Sequence, residues 1–485
     1  MEESIYDKYE AVIGLEVHSQ LLTQSKAFCS DPIEYGALPN TQVGVISLGH
    51  PGTLPFHNKA AVDLTIKMGL ACNCQIREVN QYARKNYFYA DLPKGYQITQ
   101  DKTPICYEGH LDITTKDGVT THIGIERIHM EEDSGKSMHD QDVYDSLIDY
   151  NRAGTPLMEI VTKPDFRTGE EAYAYISLIR QMVRYLDISD GNMEEGSLRC
   201  DANISVRIKG VEKFGTKVEV KNMNSMRNVQ RAIDFEIKRQ IDLIEQGETI
   251  ISDTRTFDAQ KNLTISMRSK EAANDYRYFP EPDLPPLFVG RDWVARIKEQ
   301  MPELPVQLAT RLVEEYNITT YDAQVITELK ETAYYFLEIC KHTPNYKAAA
   351  NWLMGAVKNY MNQQAVELKD FPLKSEQIAE IIILIDEGKL SNSAASQVLF
   401  PAFCNKPNSS AATLAQELNL IQESDESSIK PLVEAVLAAW PDKIIEYKAG
   451  KKNLIGLFVG EVMKRSQGKA DPKLTNKLLT ELLDN

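Results

Sequence analysis

The sequence predicts an α+β domain, mixed but mainly antiparallel in its sheet, followed by chain that is helical to its end. Three observations carry this. Short β-branched runs bounded by Gly, Pro and Asn-Asp signals fill the part up to about residue 290, with helices interrupting them. A proline-rich stretch from Phe279, F-P-E-P-D-L-P-P-L, then removes backbone donors and favours extended chain, as a connector does. Residue types also divide: seven of the eight histidines lie between His18 and His139, while Trp293, Trp352 and Trp440 all lie beyond the connector.

The elements follow in order. Strands are expected over 11–21, 43–48, 110–115, 120–130, 157–162, 202–208 and 216–221. One helix is expected from Lys59 to Cys72 behind Asn58. Another should follow Thr168, where T-G-E-E places Glu171 as a capping-box partner. A third should follow Ser225 and run toward Gln246. Beyond Trp293 the pattern is helical; Ser375 is the expected cap of I-A-E-I-I-I-L-I-D-E, which stops before Gly388. A second break, F-P-A-F-C-N-K-P-N-S-S from Phe400, sets a boundary near 405. The expected division is therefore 1–292, 293–405 and 406–485.

Composition bounds the class. With 485 residues, 42% of them hydrophobic and 26% charged, the chain reads as a soluble globular protein of more than one domain. No apolar run reaches the length of a membrane span. The opening M-E-E-S-I-Y-D-K-Y-E has no apolar core, so no secretory signal is expected, and the seven scattered cysteines fit reduced thiols in the cytoplasm. A net charge of −16 argues against a coat for nonspecific nucleic-acid binding. Between Lys443 and Lys477, however, nine basic residues face three acids, a patch that can meet phosphates or simply solvate a helix.

The chemistry begins in E-A-V-I-G-L-E-V-H-S-Q-L, from Glu10 to Leu21. In a strand, Ile13, Leu15 and Val17 share one face and Gly14, Glu16, His18 and Gln20 the other. A wet face accounts for the acid and the imidazole; so does a metal or phosphate site. On I-E-R-I-H-M-E-E-D-S-G-K-S, His129 and Glu131 share a face. In T-P-L-M-E-I-V-T, Glu159 lies between Leu157 and Val161, which is costly for an acid unless it is paired or metal-bound. Glu16, His18, Glu131 and Glu159 make a plausible O/N ligand set for Mg²⁺, Mn²⁺ or Zn²⁺. Glu219 joins them as a further candidate, although Lys217 and Lys221 on its face fit a solvated surface equally well. S-G-K-S at 134–137 is not a phosphate loop, because Met130 stands where a glycine is required. Cations and aromatics mix in A-R-K-N-Y-F-Y-A-D-L-P-K-G-Y-Q-I-T-Q, which suits bases, sugars or phosphates.

V-I-G-L-E-V-H, R-K-N-Y-F-Y, D-L-P-K-G-Y-Q-I, H-M-E-E-D-S-G-K-S, N-R-A-G-T-P-L-M-E-I-V, M-E-E-G-S-L-R-C-D-A-N-I-S-V-R, D-Y-R-Y-F-P-E-P-D and N-W-L-M-G together resemble the B subunits of aspartyl/glutamyl-tRNA amidotransferases (GatB). The resemblance spans nearly the whole chain and is looser in the last 80 residues. It implies a cradle-shaped α+β domain, a helical domain and a small YqeY-like helical tail that contacts tRNA. It implies a heterotrimer in which an amidase-type A subunit frees ammonia from glutamine and a small C subunit joins the two. The B subunit would be an ATP-dependent carbon–nitrogen ligase, phosphorylating the side-chain carboxylate of misacylated Glu-tRNA(Gln) or Asp-tRNA(Asn) before ammonia arrives. Carried onto this sequence, the resemblance makes Glu16, His18, Glu131 and Glu159 ligands of Mg²⁺, with Zn²⁺ an alternative and Glu219 an added candidate. It puts Lys85 near the ammonia exit, and leaves Arg84, Lys94 and Arg199 as candidates for ATP. Lys451, Lys452, Lys464 and Arg465 become candidates for tRNA. The competing class is a tRNA-binding scaffold without catalysis.

Overall fold

A computed structural model describes residues 5–138, 142, 144–269, 276–422, 426–466 and 470–484. The chain divides into two compact units, Met1–Leu304 and Pro305–Asn485.

Among the described residues of the first unit, nine strands form one sheet. They are β1 (Tyr9–Gln20), β2 (Gln75–Ile76), β3 (Cys106–Thr114), β4 (Thr120–Glu132), β5 (Pro156–Thr162), β6 (Leu198–Ile208), β7 (Val218–Lys221), β8 (Asp253–Asp258) and β9 (Leu263–Ser269). Their order is β9-β8-β7-β6-β1-β5-β4-β3-β2. Every neighbouring pair is antiparallel except β7–β8, which is parallel. The expectation of a mixed, mainly antiparallel sheet thus holds.

One face of the sheet is the core. Ile13, Leu15 and Val17 point into it with Ile128, Ile160 and Ile204. Three helices cover that face: α1 (Lys59–Ala71), α2 (Gly169–Tyr185) and α3 (Met226–Glu245). Their starts are set locally. Asn58 Oδ1 accepts from Ala60 N at 3.0 Å; Ser225 Oγ accepts from Asn228 N at 3.1 Å. Thr168 and Glu171 close the expected capping box, at 3.2 and 3.0 Å. Each cap stabilises its helix by about 1 kcal/mol. The other face is walled on one side by a small sheet of Phe279–Pro280, Ala83–Asn86 and Tyr96–Thr99.

The expected strand over 43–48 is absent. Asp31 Oδ2 accepts from Gly44 N at 2.7 Å and from Ser47 Oγ at 2.6 Å, and Leu48 N bonds back to Gly44 O, so the run folds into turns. Strand β8 escaped sequence reading because D-T-R-T-F-D carries little apolar alternation, whereas L-T-I-S-M-R-S in β9 does alternate Leu263, Ile265 and Met267. The helix α4 (Arg291–Glu299) packs in the first unit, where Trp293 Nε1 donates to Asp63 Oδ1 at 2.5 Å. The division thus falls at 304/305 rather than before Trp293.

Among the described residues of the second unit, every element is a helix. Ser375 is the first residue of its helix, not the cap; Gln377 closes the start, its Oε1 accepting from Lys374 N at 2.9 Å. The helix Ala411–Glu417 is tied to this one, with Ala411 N donating to Glu380 Oε2 at 2.8 Å, so packing is continuous across residue 405. The last core starts at Ile429 and holds Val433, Val436, Phe458, Val462 and Leu479.

Candidate active site

Strand register builds the floor of the site. On the face opposite the core, neighbouring strands align His129, Glu159, His18 and Arg199 in one row. One step along lies Arg127, Val161, Glu16 and Asp201; the step after holds Gly14, Asn203 and Glu219. A cavity of about 1050 Å³ opens above these rows. A Cβ at Gly14 would make only ordinary contact with Pro164, at 3.8 Å, so this glycine is not what opens the floor.

The ligand-type residues sort into two groups rather than one. His18, Glu131 and Glu159 form the first; Glu16, Asp201 and Glu219 form the second. Within each, one ligand atom per residue lies within 4.8 Å of the others, a spacing that suits one cation per group. Sequence reading put Glu16 with His18 because they share a strand face. It missed Asp201 as the partner of Glu16, since their pairing depends on β1–β6 register.

The first group is compact and buried. Glu159 Oε2 lies 3.4 Å from both His18 Nε2 and His129 Nε2. Burial alone would lift the Glu159 carboxyl, but the two imidazoles hold it well below the usual carboxylate range. Burial alone would lower the His18 imidazole; Glu159 first, then Glu131 and Asp201, raise it to about 9. In the absence of metal His18 is therefore charged at neutral pH. A cation at this group would replace that proton.

The second group is held from its edges. Asn203 Nδ2 donates to Glu16 Oε1 at 2.8 Å, and Thr254 Oγ1 to Glu219 Oε2 at 3.0 Å. Lys221 Nζ lies 2.5 Å from Asp201 Oδ2 and 3.1 Å from Glu219 Oε1. Lys221 therefore faces the acids, not open solvent as its strand neighbours allowed.

Lys85 stands on the cavity wall, with Nζ 5.0 Å from the centroid of the Tyr276 ring. Burial would lower its ammonium, yet Glu131 and then Tyr278 and Glu159 raise it. Arg199 also lines the cavity. Its Nη2 donates to Asp133 Oδ2 at 2.8 Å, while its buried Nε has no hydrogen-bond partner. Asp133 is the anchor here. It also accepts from Gln20 Nε2 at 2.8 Å and faces Arg152 at 3.7 Å, and these cations hold it below the usual carboxylate range against the effect of burial.

Arg84 and Lys94 are not on the cavity wall. Arg84 makes a bidentate pair with Glu281, at 2.7 and 2.9 Å, and Lys94 pairs with Glu132. Both are consumed in joining the small sheet to its surroundings. In the last core, Lys451 pairs with Glu446 at 3.0 Å and Arg465 with Glu461 at 3.5 Å; Lys452 stacks over Tyr447. Lys464 and Arg465 close the helix Ile455–Arg465, while Lys451 and Lys452 precede it. A helix of that length separates the two pairs by roughly 16 Å, so they do not form a single cluster. Lys469 lies outside the described residues.

A sheet floored with cation-type ligands, followed by a helical C-terminal unit, belongs to a known class of catalytic domain. Residues 11–295 match the GatB/GatE catalytic domain and residues 334–483 match the GatB domain. The chain is 48% identical to the B subunit of the aspartyl/glutamyl-tRNA(Asn/Gln) amidotransferase of Thermodesulfovibrio yellowstonii, over 98% of this chain and 99% of the relative. It is 47% identical to the B subunit of the same amidotransferase from Persephonella marina, over 98% of this chain and all of the relative, and 47% identical to that of Geotalea uraniireducens over the same shares. The chain belongs to the GatB family. No helix among the described residues is long and apolar enough to cross a membrane.

Proposed function

We propose that the chain is the B subunit of a tRNA-dependent amidotransferase and carries its carboxylate-activating site. The substrate is Glu-tRNA(Gln) or Asp-tRNA(Asn), and the phosphoryl donor is ATP. A side-chain carboxylate oxygen attacks the γ-phosphorus, the bond to the β-phosphate oxygen breaks, and ADP leaves. Ammonia then attacks the acyl phosphate carbon, phosphate is expelled, and loss of a proton leaves the amide. The relatives carry this substrate class in their names.

The observation that carries the reading is the pair of ligand groups side by side on one cavity floor. Magnesium bound there would neutralise phosphate charge and align the reacting oxygens, which is most of what phosphoryl transfer needs. His18, Glu131 and Glu159 would hold one ion, and Glu16, Asp201 and Glu219 a second. Zn²⁺ fits the imidazole-containing group as well. Arg199, fixed by Asp133, lines the cavity and would supply a positive charge to an anionic group there. Lys85 keeps a positive charge at the cavity wall, near the point where ammonia would enter.

An A subunit that hydrolyses glutamine and a small C subunit complete the heterotrimer in this reading, in the cytoplasm. The basic tail would hold the tRNA. The deciding experiment reconstitutes the complex and follows ATP-dependent conversion of Glu-tRNA(Gln) with ammonium as nitrogen source. A chain that binds misacylated tRNA yet supports no phosphoryl transfer would instead be a scaffold, and the reading would fall.

A further inference from the structure

Lys221 is a feature of the cavity floor that the two ligand groups alone do not account for. It projects from the end of β7, where the chain leaves the sheet through Asn222 at φ 62°. Its ammonium sits between two of the three carboxylates of the second group, at 2.5 and 3.1 Å. That is where a cation bound by Glu16, Asp201 and Glu219 would be. The first group has no lysine ion pair among the described residues; its nearest basic side chains are imidazoles, at 3.4 to 3.9 Å. The two groups are therefore built for different filling.

We propose that Lys221 is the built-in counter-cation of the Glu16–Asp201–Glu219 group, which takes a divalent ion only as the lysine swings out toward the phosphates of the nucleotide. This inference rests on the phosphoryl-transfer reading of the cavity.

Position favours the exchange. The ammonium occupies the place between Asp201 and Glu219 that a dication held by the same oxygens would take, and the two cations repel at that range. Removing the lysine without replacement would leave three carboxylates facing one another. The side chain has room to move: it is 35% exposed and lines the cavity. A flexible ammonium that lets go of carboxylates beside a bound triphosphate meets the strongest anion in the cavity. Entry of the second metal and engagement of the phosphates become one event, and the second site stays closed to free divalent ions until nucleotide arrives.

The test is Mn²⁺ binding to the full chain, followed by the paramagnetic resonance of the free ion. The wild type should bind one ion tightly, lose it in Glu159→Gln, and bind a second ion only weakly until a non-hydrolysable ATP analogue is added. Lys221→Met should tighten the second site at least tenfold without the analogue. Its melting temperature should be depressed without metal and restored by saturating Mn²⁺. Lys221→Gln, smaller in its disturbance, should tighten the site in the same direction and stands in if the methionine variant does not fold. Unchanged or weaker second-site binding in a folded Lys221 variant would overturn the inference. So would two equally tight sites in the wild type without nucleotide, which would leave the phosphoryl-transfer reading standing. A wild type that binds no Mn²⁺ with or without the analogue overturns that reading itself, and the inference with it.

Discussion

His18 and Glu159 stand opposite each other on adjacent antiparallel strands, with His18 Nε2 3.4 Å from Glu159 Oε2. Against the effect of burial, this contact, with Glu131 and Asp201 behind it, raises the folded-state pKa of His18 to about 9 from 6.5. A raised value means stability that is fully present below the unfolded pKa and lost as pH rises through the folded one. Metal-free protein should therefore melt several degrees lower at pH 9.5 than at pH 6.5. His18→Gln should flatten that slope. A wild-type melting curve that does not move across this window in chelator would remove the charged imidazole from the metal-free site.

Glu131→Gln and Glu16→Gln each remove one carboxylate from a different ligand group. Each should lower ATP-dependent amidation in the complex by at least about a hundredfold while leaving the fold intact. Circular dichroism and the melting temperature check the fold; single-turnover phosphorylation of Glu-tRNA checks the chemistry. Near-normal phosphorylation by either variant would remove that group from the mechanism.

Asp133→Asn leaves two guanidinium groups without their shared buried carboxylate. Loss of one partner from such a network costs about 3 kcal/mol, so thermal unfolding should shift visibly. The apparent KM for ATP should also rise, because Arg199 loses its anchor. Unchanged stability would show that Asp133 is solvated rather than load-sharing in this network.

The purified chain alone should release no ammonia from glutamine, since its sequence has no amidase-type nucleophile segment and no cysteine in a recognisable glutaminase motif. In the complex it should accept free ammonium. Assay of glutamate release checks the first statement, and formation of Gln-tRNA with ammonium as the sole nitrogen source checks the second.

Removing the chain from residue 426 onward deletes the last core while keeping Ala411–Glu417 on the helical bundle. The apparent KM for tRNA should rise, and turnover at saturating tRNA should change little. Each phosphate that the protein no longer neutralises should lower the salt slope of binding by roughly one unit. The two basic pairs lie apart, so Lys451 and Lys452 changed together should account for part of that slope and Lys464 with Arg465 for another part. Unchanged affinity at every salt concentration would free the tail from this role.

Much of this was legible from residues alone, for a definable reason. Period-two alternation assigned Glu16, His18, Glu131 and Glu159 to strand faces, and Asn58, Thr168 and Ser225 marked helix starts, because these signals are local. What could not be read was register. The sequence does not say that Asp201, rather than His18, completes the group around Glu16, nor that Lys221 reaches Asp201 on the neighbouring strand. The ion pairs of Arg84 and Lys94 were hidden for the same reason: their partners Glu281 and Glu132 lie 197 and 38 residues away. The 43–48 run failed on a single side chain, Asp31, whose hydrogen bonds outweigh strand propensity.

The cavity floor draws on β1, β4, β5, β6 and β7, so its residues span Glu16 to Lys221 in sequence. During synthesis the nascent chain carries Glu16 and His18 out of the ribosome long before their partners exist. Contacts of such separation close late and slowly. A chain that stops short of β7 can thus assemble only the His18–Glu131–Glu159 group, and the full acid set first converges once β7 has joined the sheet.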